Sequence, residues 1–203
     1  MLRRLFVVTP ATLNSRRIAL ILVAGFALAC AKTPKWRGTP VEPARDVLPI
    51  AFSDSTGQLV PWLPAKGQAA FVFFGYTNCP DVCPTTLADW VRVKRALGND
   101  GKRVRFVFVT IDPERDTPAI AQQYAFQFDP SFIGLSARPS ATDSLENSFG
   151  VASSKQESTS AGGYLMGHSS QSFLVDDKGK VRVSYNFGAG WDVMVADAKQ
   201  LLR

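Results

Sequence analysis

Phe71 to Leu87 reads FVFFGYTNCPDVCPTTL, and both the fold and the chemistry of the chain turn on it. Phe71–Phe74 is an apolar run of aromatic and β-branched residues, the signature of a buried strand. Gly75 breaks the run. A short loop follows with Cys79 and Cys83, three residues between them, each followed by a proline. A residue before proline is pushed toward extended geometry, so neither thiol is expected inside a helix. Pro84 suits the first helical position. Leu87, Trp90, Val91, Lys94 and Leu97 then fall on one face at helical spacing, all but Lys94 apolar. This places Cys83 at a helix N-terminus, where free N–H groups and the dipole favour thiolate over thiol.

The rest of the chain is ordered around this unit. Pro49–Leu63 holds two short apolar runs about the turn signal Asp54-Ser55-Thr56-Gly57, a β-hairpin. A strand over Ala69–Phe74 and a helix from about Thr85 to Leu97 come next. Val104–Ile111, VRFVFVTI, is nearly all apolar, as expected of a strand buried on both faces of a parallel sheet. The two strands and the helix between them make a βαβ unit. Asp116 or Thr117 can cap a helix running to Phe128. A short strand at Phe132–Leu135 and a helix near Thr142–Phe149 follow. Residues 152–163, ASSKQESTSAGG, read as a long polar surface loop leading to His168. Gln171–Val175 and Val181–Tyr185 flank the turn Asp176–Gly179, and Trp191–Leu202 closes the chain. This order predicts an α/β fold, a thioredoxin-like three-layer sandwich. The additions to it are an N-terminal β-hairpin and a long loop before the final hairpin.

The chain has 203 residues, 46% of them hydrophobic, enough for one domain with its own core. Its formal charge of +6 misleads, because Arg3, Arg4, Arg16 and Arg17 precede Cys30 and no acid does. Without those four the 23 basic residues fall to 19, against 17 acidic. There is no basic stripe on a predicted helix and no nucleic-acid motif, so a nucleic-acid partner is not expected. Ile18–Ala29 is an apolar run shorter than the about 20 residues a membrane span needs. It ends Ala-Leu-Ala directly before Cys30. That pattern resembles a bacterial lipoprotein signal over residues 1–29, with Cys30 lipidated and residues 30–48 forming a Pro-rich tether to a domain over 49–203. An uncleaved anchor is the other reading. Both put the domain in the cell envelope outside the cytoplasm, an oxidising compartment, and the lipoprotein reading would leave Cys79 and Cys83 as the only free sulfurs. Nothing in the sequence demands more than a monomer.

For the dithiol, three readings stand side by side. A structural disulfide closes only a very short ring, which adds little stability. A thioredoxin-like redox pair is compatible, although the spacing is wider than CxxC. A metal site is the third. His168 is the only histidine. Alone it would be an ordinary surface or core residue, but in a thioredoxin-like fold its connection lies on the same edge as the dithiol loop. Two thiolates and one imidazole suit copper, as Cu(I) or Cu(II). Zinc would want a fourth ligand, and Asp81 is the only near carboxylate. Asp112-Pro113-Glu114-Arg115-Asp116-Thr117-Pro118 follows the second core strand. It reads either as a turn with a helix cap or as support for the site.

Taken together, FGYTNCPDVCPTTL, TIDPERDTP and a lone histidine before a hairpin strand resemble the Sco/SenC family over about residues 48–190. These are membrane-tethered, thioredoxin-fold copper proteins. The resemblance implies one copper ion held by Cys79, Cys83 and His168. It implies support or an interaction surface from Asp112, Arg115, Asp116, Thr117 and Pro118, to which Asp81, the carboxylate between the thiols, is added on its position alone. It also implies a role in assembling the binuclear copper centre of cytochrome c oxidase. The expected partners are the copper-bearing oxidase subunit and a copper-donor protein. On this reading the chain is a metal carrier rather than an enzyme, with a membrane-tethered thiol–disulfide oxidoreductase as the alternative. A peroxidase would also need an arginine at the thiolate, supplied by Arg115 only if the fold brings it there. The chain departs from the family at Gly167, where an Asp often precedes the histidine.

Overall fold

The computed structural model of the chain describes residues 35–157 and 163–203. The expected signal segment and the expected lipidation at Cys30 lie outside the described residues. In chain order the strands are β1 (Thr39–Asp46), β2 (Phe52–Ser53), β3 (Leu59–Val60), β4 (Ala69–Gly75), β5 (Val104–Thr110), β6 (Ile133–Leu135), β7 (Ser153–Gln156), β8 (Leu165–His168), β9 (Ser172–Val175) and β10 (Lys180–Tyr185). The helices are α1 (Val82–Leu97), α2 (Pro118–Phe128), α3 (Pro139–Phe149) and α4 (Trp191–Leu201).

Six strands form the central sheet in the order β1-β10-β9-β4-β5-β6. The apolar runs explain its centre. Every residue of β4 is buried, and β4 pairs in parallel with β5, and β5 with β6. The hairpin β9–β10 adds antiparallel to β4. Alternation along β4 serves two helical layers. Phe71 and Phe73 meet Trp90 of α1, and Phe108 of β5 meets Tyr124 of α2. On the other face Phe74 packs against Phe149 of α3 and Phe173 of β9. The result is the three-layer α/β arrangement expected from the element order.

Three local expectations are corrected. The tether expected over 30–48 ends sooner, because Thr39–Asp46 forms an edge strand on β10. An edge strand uses one side of its backbone, so Pro40 and Pro43 are tolerated, and the register shifts between Pro40 and Arg45. Helix α1 begins at Val82, so Cys83 lies within its first turn rather than before it, and Pro84 is its third residue rather than its first. The expected loop over 152–163 is in part a ribbon. Ser153–Gln156 pairs antiparallel with Leu165–His168. Its β7 half, Ser-Ser-Lys-Gln, is largely exposed, with no apolar alternation to announce it. Phe52–Ser53 pairs with Leu59–Val60, and Asp54 accepts the Thr56 and Gln58 N–H groups in the turn between them.

Candidate metal centre

Parallel strands β4 and β5 end side by side, Gly75 opposite Thr110, and the loops beyond that edge carry the chemistry, as in other open α/β sheets. Cys79 precedes α1 and is half-buried; Cys83, inside the first turn, is fully buried. Gly75 makes the room. A Cβ there would stand 2.7 Å from Cys83 Sγ and 2.8 Å from the Phe73 ring.

The two sulfurs are not equivalent. The Cys83 backbone N–H donates to Cys79 Sγ at 3.4 Å. The Cys83 thiol and the Asp81 backbone N–H also hydrogen-bond to Cys79 and favour its thiolate. Cys79 is thereby lowered to about 4 against the burial that opposes it, the Cys83 hydrogen bond contributing most. Cys83 is pushed far up, because its S–H is held by the Cys79 thiolate and the sulfur is buried. The acidified sulfur is therefore Cys79, where the sequence pointed to Cys83. The free N–H groups of a helix start point back along the chain, and that of Cys83 reaches Cys79 Sγ, three residues before the first helical residue Val82.

His168 ends β8. Its ring packs edge-on against Phe73 and Tyr76. Nδ1 lies 3.0 Å from the Ser169 carbonyl oxygen. Since a carbonyl only accepts, Nδ1 carries the proton and Nε2 keeps its lone pair. Nε2 is 4.0 Å from Cys83 Sγ. The ligand atoms of Cys79, Cys83 and His168 all lie within 4.8 Å of one another. No other Cys, His, Asp or Glu of the described residues joins this group. Two sulfurs and one imidazole nitrogen suit a soft ion, and with no fourth ligand present the set fits copper better than zinc.

The acidic block after β5 divides into two supports. Asp116 is buried and accepts from Thr77 N–H at 2.9 Å, Thr77 Oγ1 at 2.5 Å and Thr110 Oγ1 at 2.6 Å. It fixes the loop two residues before Cys79. Helix α2 is capped instead by Thr117, which accepts from Ile120 N–H. Asp112 is buried too, accepting from Arg115 Nε and from Tyr164 Oη at 2.6 Å. Arg115 donates to the Tyr164 carbonyl at 2.9 Å and stacks 3.7 Å over that ring. Glu114 pairs with Lys155 on β7. This loop thus grips the far end of the ribbon that carries His168. Arg115 is engaged there through Nε and Nη1, and among the described residues it makes no hydrogen bond to either sulfur. Asp81 acts through its backbone; its carboxylate is exposed and meets only Thr85 Oγ1, at 3.4 Å. Thr77 and Tyr164 carry no sequence signal, because their partners lie 39 and 52 residues away.

A thioredoxin-like domain with a thiolate, a buried thiol and an imidazole converging at its sheet edge defines a dithiol–histidine protein. Residues 41–203 match the SCO1/SenC family, and the chain belongs to it. An SCO2-like protein of Rickettsia felis is 33% identical over 128 residues, 63% of this chain and 62% of the relative. The match thus spans under two thirds of that relative's length. Among solved structures, apo Sco1 from Thermus thermophilus aligns with a TM-score of 0.71 at 34% identity, covering 84% of this chain and 99% of that one. ScoI of Bradyrhizobium japonicum with copper bound aligns with a TM-score of 0.66, also at 34% identity, covering 81% and 98%.

Proposed function

We propose that the domain holds one copper ion through Cys79, Cys83 and His168 and delivers it to the binuclear copper centre of cytochrome c oxidase during assembly. The observation that carries this reading is the convergence of the two sulfurs and the Nε2 lone pair within 4.8 Å. The copper-bound ScoI relative, and a putative copper-binding protein of Stutzerimonas stutzeri that is 34% identical over 118 residues, support the choice of metal. The oxidase client rests on the family resemblance. Cys79, already a thiolate, can take the ion without first losing a proton, whereas Cys83 releases its proton as the metal arrives. Partial exposure of Cys79 and His168 leaves a route for ligand exchange with a donor or acceptor protein. Attachment through a lipidated Cys30 in the bacterial envelope belongs to the same proposal. Among the described residues no helix is long and apolar enough to cross a membrane.

The test is visible absorption and metal content of residues 35–203, reduced and given one equivalent of Cu(II), beside His168→Ala. The expected result is a thiolate-to-copper charge-transfer band at one copper per chain, absent in the variant. Cu(II) affinity should fall by more than the about 10–100-fold that loss of an outer partner costs. Cu(I), which two thiolates can hold, should be affected less. Equal copper affinity in both proteins would refute the three-ligand site.

The asymmetry of the dithiol favours a second reading. A half-exposed thiolate beside a buried thiol is arranged for exchange: Cys79 attacks a partner disulfide, and Cys83 resolves the mixed disulfide. That leaves a Cys79–Cys83 disulfide and a reduced partner. Turnover of a disulfide substrate with glutathione, indifferent to copper, would select this reading.

A further inference from the structure

Ser153 of β7 is paired with His168 across the ribbon. Its hydroxyl donates to Glu146 Oε2 on α3 at 3.0 Å. The Ser169 N–H closes the same end of the ribbon on the Ala152 carbonyl at 3.2 Å. The ribbon therefore has two attachments. The Asp112–Arg115 loop holds the end near Tyr164, and Glu146 holds the base, where the imidazole is.

Glu146 is an odd residue to find there. It is 4% exposed. Among the described residues no cation pairs with it, and its Oε1 is buried without a hydrogen-bond partner. It is not needed to end α3, which closes on Gly150 in the left-handed region (φ 72°) through backbone hydrogen bonds. Burial raises its carboxyl above the usual range, Asp143 adds to this, and Ser153 and His168 oppose it. A leucine would fill similar space without burying an unpaired acceptor. A buried polar group that the fold does not need calls for an explanation in terms of a task.

We propose that Glu146 is a positioning residue for His168: it holds Ser153, and through that pairing sets where the imidazole stands over the two sulfurs. This rests on the copper site proposed above. The relevant geometry is a four-residue strand pair springing from the end of a helix. Its register puts the ligand at the fixed end, so a small pivot there moves Nε2 toward or away from both sulfurs. Because the route is a hydrogen bond, glutamine, which keeps an acceptor for Ser153, should serve nearly as well as glutamate.

Glu146→Gln, Glu146→Leu, Ser153→Ala and the Leu/Ala double variant test this in the soluble domain. Cu(II) affinity is expected to fall about tenfold or more in Glu146→Leu and in Ser153→Ala, with an altered charge-transfer spectrum. The double variant should be no worse than either single one, as for two ends of one interaction. Glu146→Gln should stay within about threefold of wild type, and Cu(I) affinity should hold throughout. The thermal midpoint of Glu146→Leu should not fall, which separates positioning from damage to the fold. A metal-free readout runs alongside. The chain has one histidine, so a proton–nitrogen correlation spectrum of the apo protein contains one imidazole. Its nitrogen shifts should move in Glu146→Leu and Ser153→Ala and stay in Glu146→Gln. Unchanged imidazole shifts and copper spectra in Glu146→Leu and Ser153→Ala would overturn the inference, as would equal loss in Glu146→Gln and Glu146→Leu with Ser153→Ala unaffected. If wild type itself binds no copper, the copper site fails, and the apo imidazole still decides whether Glu146 positions His168.

Discussion

Asp116 takes both the backbone N–H and the hydroxyl of Thr77, at 2.9 and 2.5 Å. A carboxylate buried at the end of β5 thereby holds the loop that presents Cys79. Charge-assisted hydrogen bonds of this kind contribute about 1.5–3 kcal/mol each, and removing one partner strands the other in a dry site.

Asp116→Ala should therefore lower unfolding stability by about 3–5 kcal/mol, since Thr77 N–H and the Thr110 hydroxyl lose their acceptor together. Asp116→Asn, which keeps one acceptor oxygen, should lose less. Urea unfolding of the reduced apo domain measures this. Cu(II) titration of Asp116→Asn at a temperature where it is folded should show weaker binding with the same one-to-one stoichiometry. Stability within about 1 kcal/mol of wild type for Asp116→Ala would mean that Thr77 is held by something else.

Alkylation separates the two sulfurs. With Cys79 held near 4, it should react with iodoacetamide at a nearly pH-independent rate from about pH 5 upward, while buried Cys83 stays unmodified in the folded chain. In Cys83→Ala the S–H that holds the thiolate is gone, so Cys79 reactivity should rise with pH through a higher midpoint. The stability linkage has a definite sign. The native chain has released a proton from Cys79 that the unfolded thiol, at about 8.5, still holds. The contribution is therefore full above the unfolded value and fades as pH falls toward about 4. Cys83, raised, acts oppositely, and only above the unfolded value. Reduced apo protein should gain stability from about pH 5 to about 8 on this account. A sigmoidal Cys79 rate centred near pH 8 or above in wild type would contradict the assignment.

What the sequence made legible follows from what burial imprints on it. Strands β4 and β5 are apolar runs because both faces are covered, and the thiols and histidine are chemically conspicuous whatever the fold. Strand β1 and the β7–β8 ribbon were not legible, since an edge strand with Pro40 and Pro43, or a ribbon reading Ser-Ser-Lys-Gln, imprints no alternation. The placement of charge failed for a geometric reason: being near a helix N-terminus singled out Cys83, but the N–H groups there aim at Cys79. The long-range supports, Tyr164 on Asp112 and Ser153 on Glu146, exist only once β7 and β8 are paired.

Gly75 is a case where the sequence suggested a strand break and the structure gives another reason. It continues β4, and its missing side chain leaves space for Cys83 Sγ, which a Cβ would approach to 2.7 Å. Flanking contacts at 2.8 Å to Phe73 and 3.0 Å to Phe108 leave no direction in which to yield. Gly75→Ala should destabilise the domain by about 1–3 kcal/mol. It should also displace the sulfur, lowering the affinity for Cu(I) as well as Cu(II). That distinguishes it from His168→Ala, which spares Cu(I). Unchanged Cu(I) affinity in a folded Gly75→Ala protein would show that the sulfur has room the geometry does not suggest.

Tyr164→Phe isolates the clasp at the ribbon's far end. It removes the hydroxyl donor to Asp112 while leaving the ring for Arg115 to stack on and the backbone carbonyl for Arg115 to bond. The buried Asp112 keeps Arg115, so the loss should be modest, about 1 kcal/mol in global stability. The local effect should be larger than the global one. Amides of Leu165–His168 should exchange faster, because opening of the ribbon needs far less than unfolding of the sheet. Arg115→Leu, which loses the ion pair and the stacking together, should accelerate them further. If the ribbon is held mainly at its base by Glu146 and Ser153, exchange should rise most at Leu165 and Met166 and least at His168, and Cu(II) affinity should fall only slightly. Uniform acceleration along all four amides would instead mean that the ribbon lifts as a unit, hinged on the clasp at Asp112.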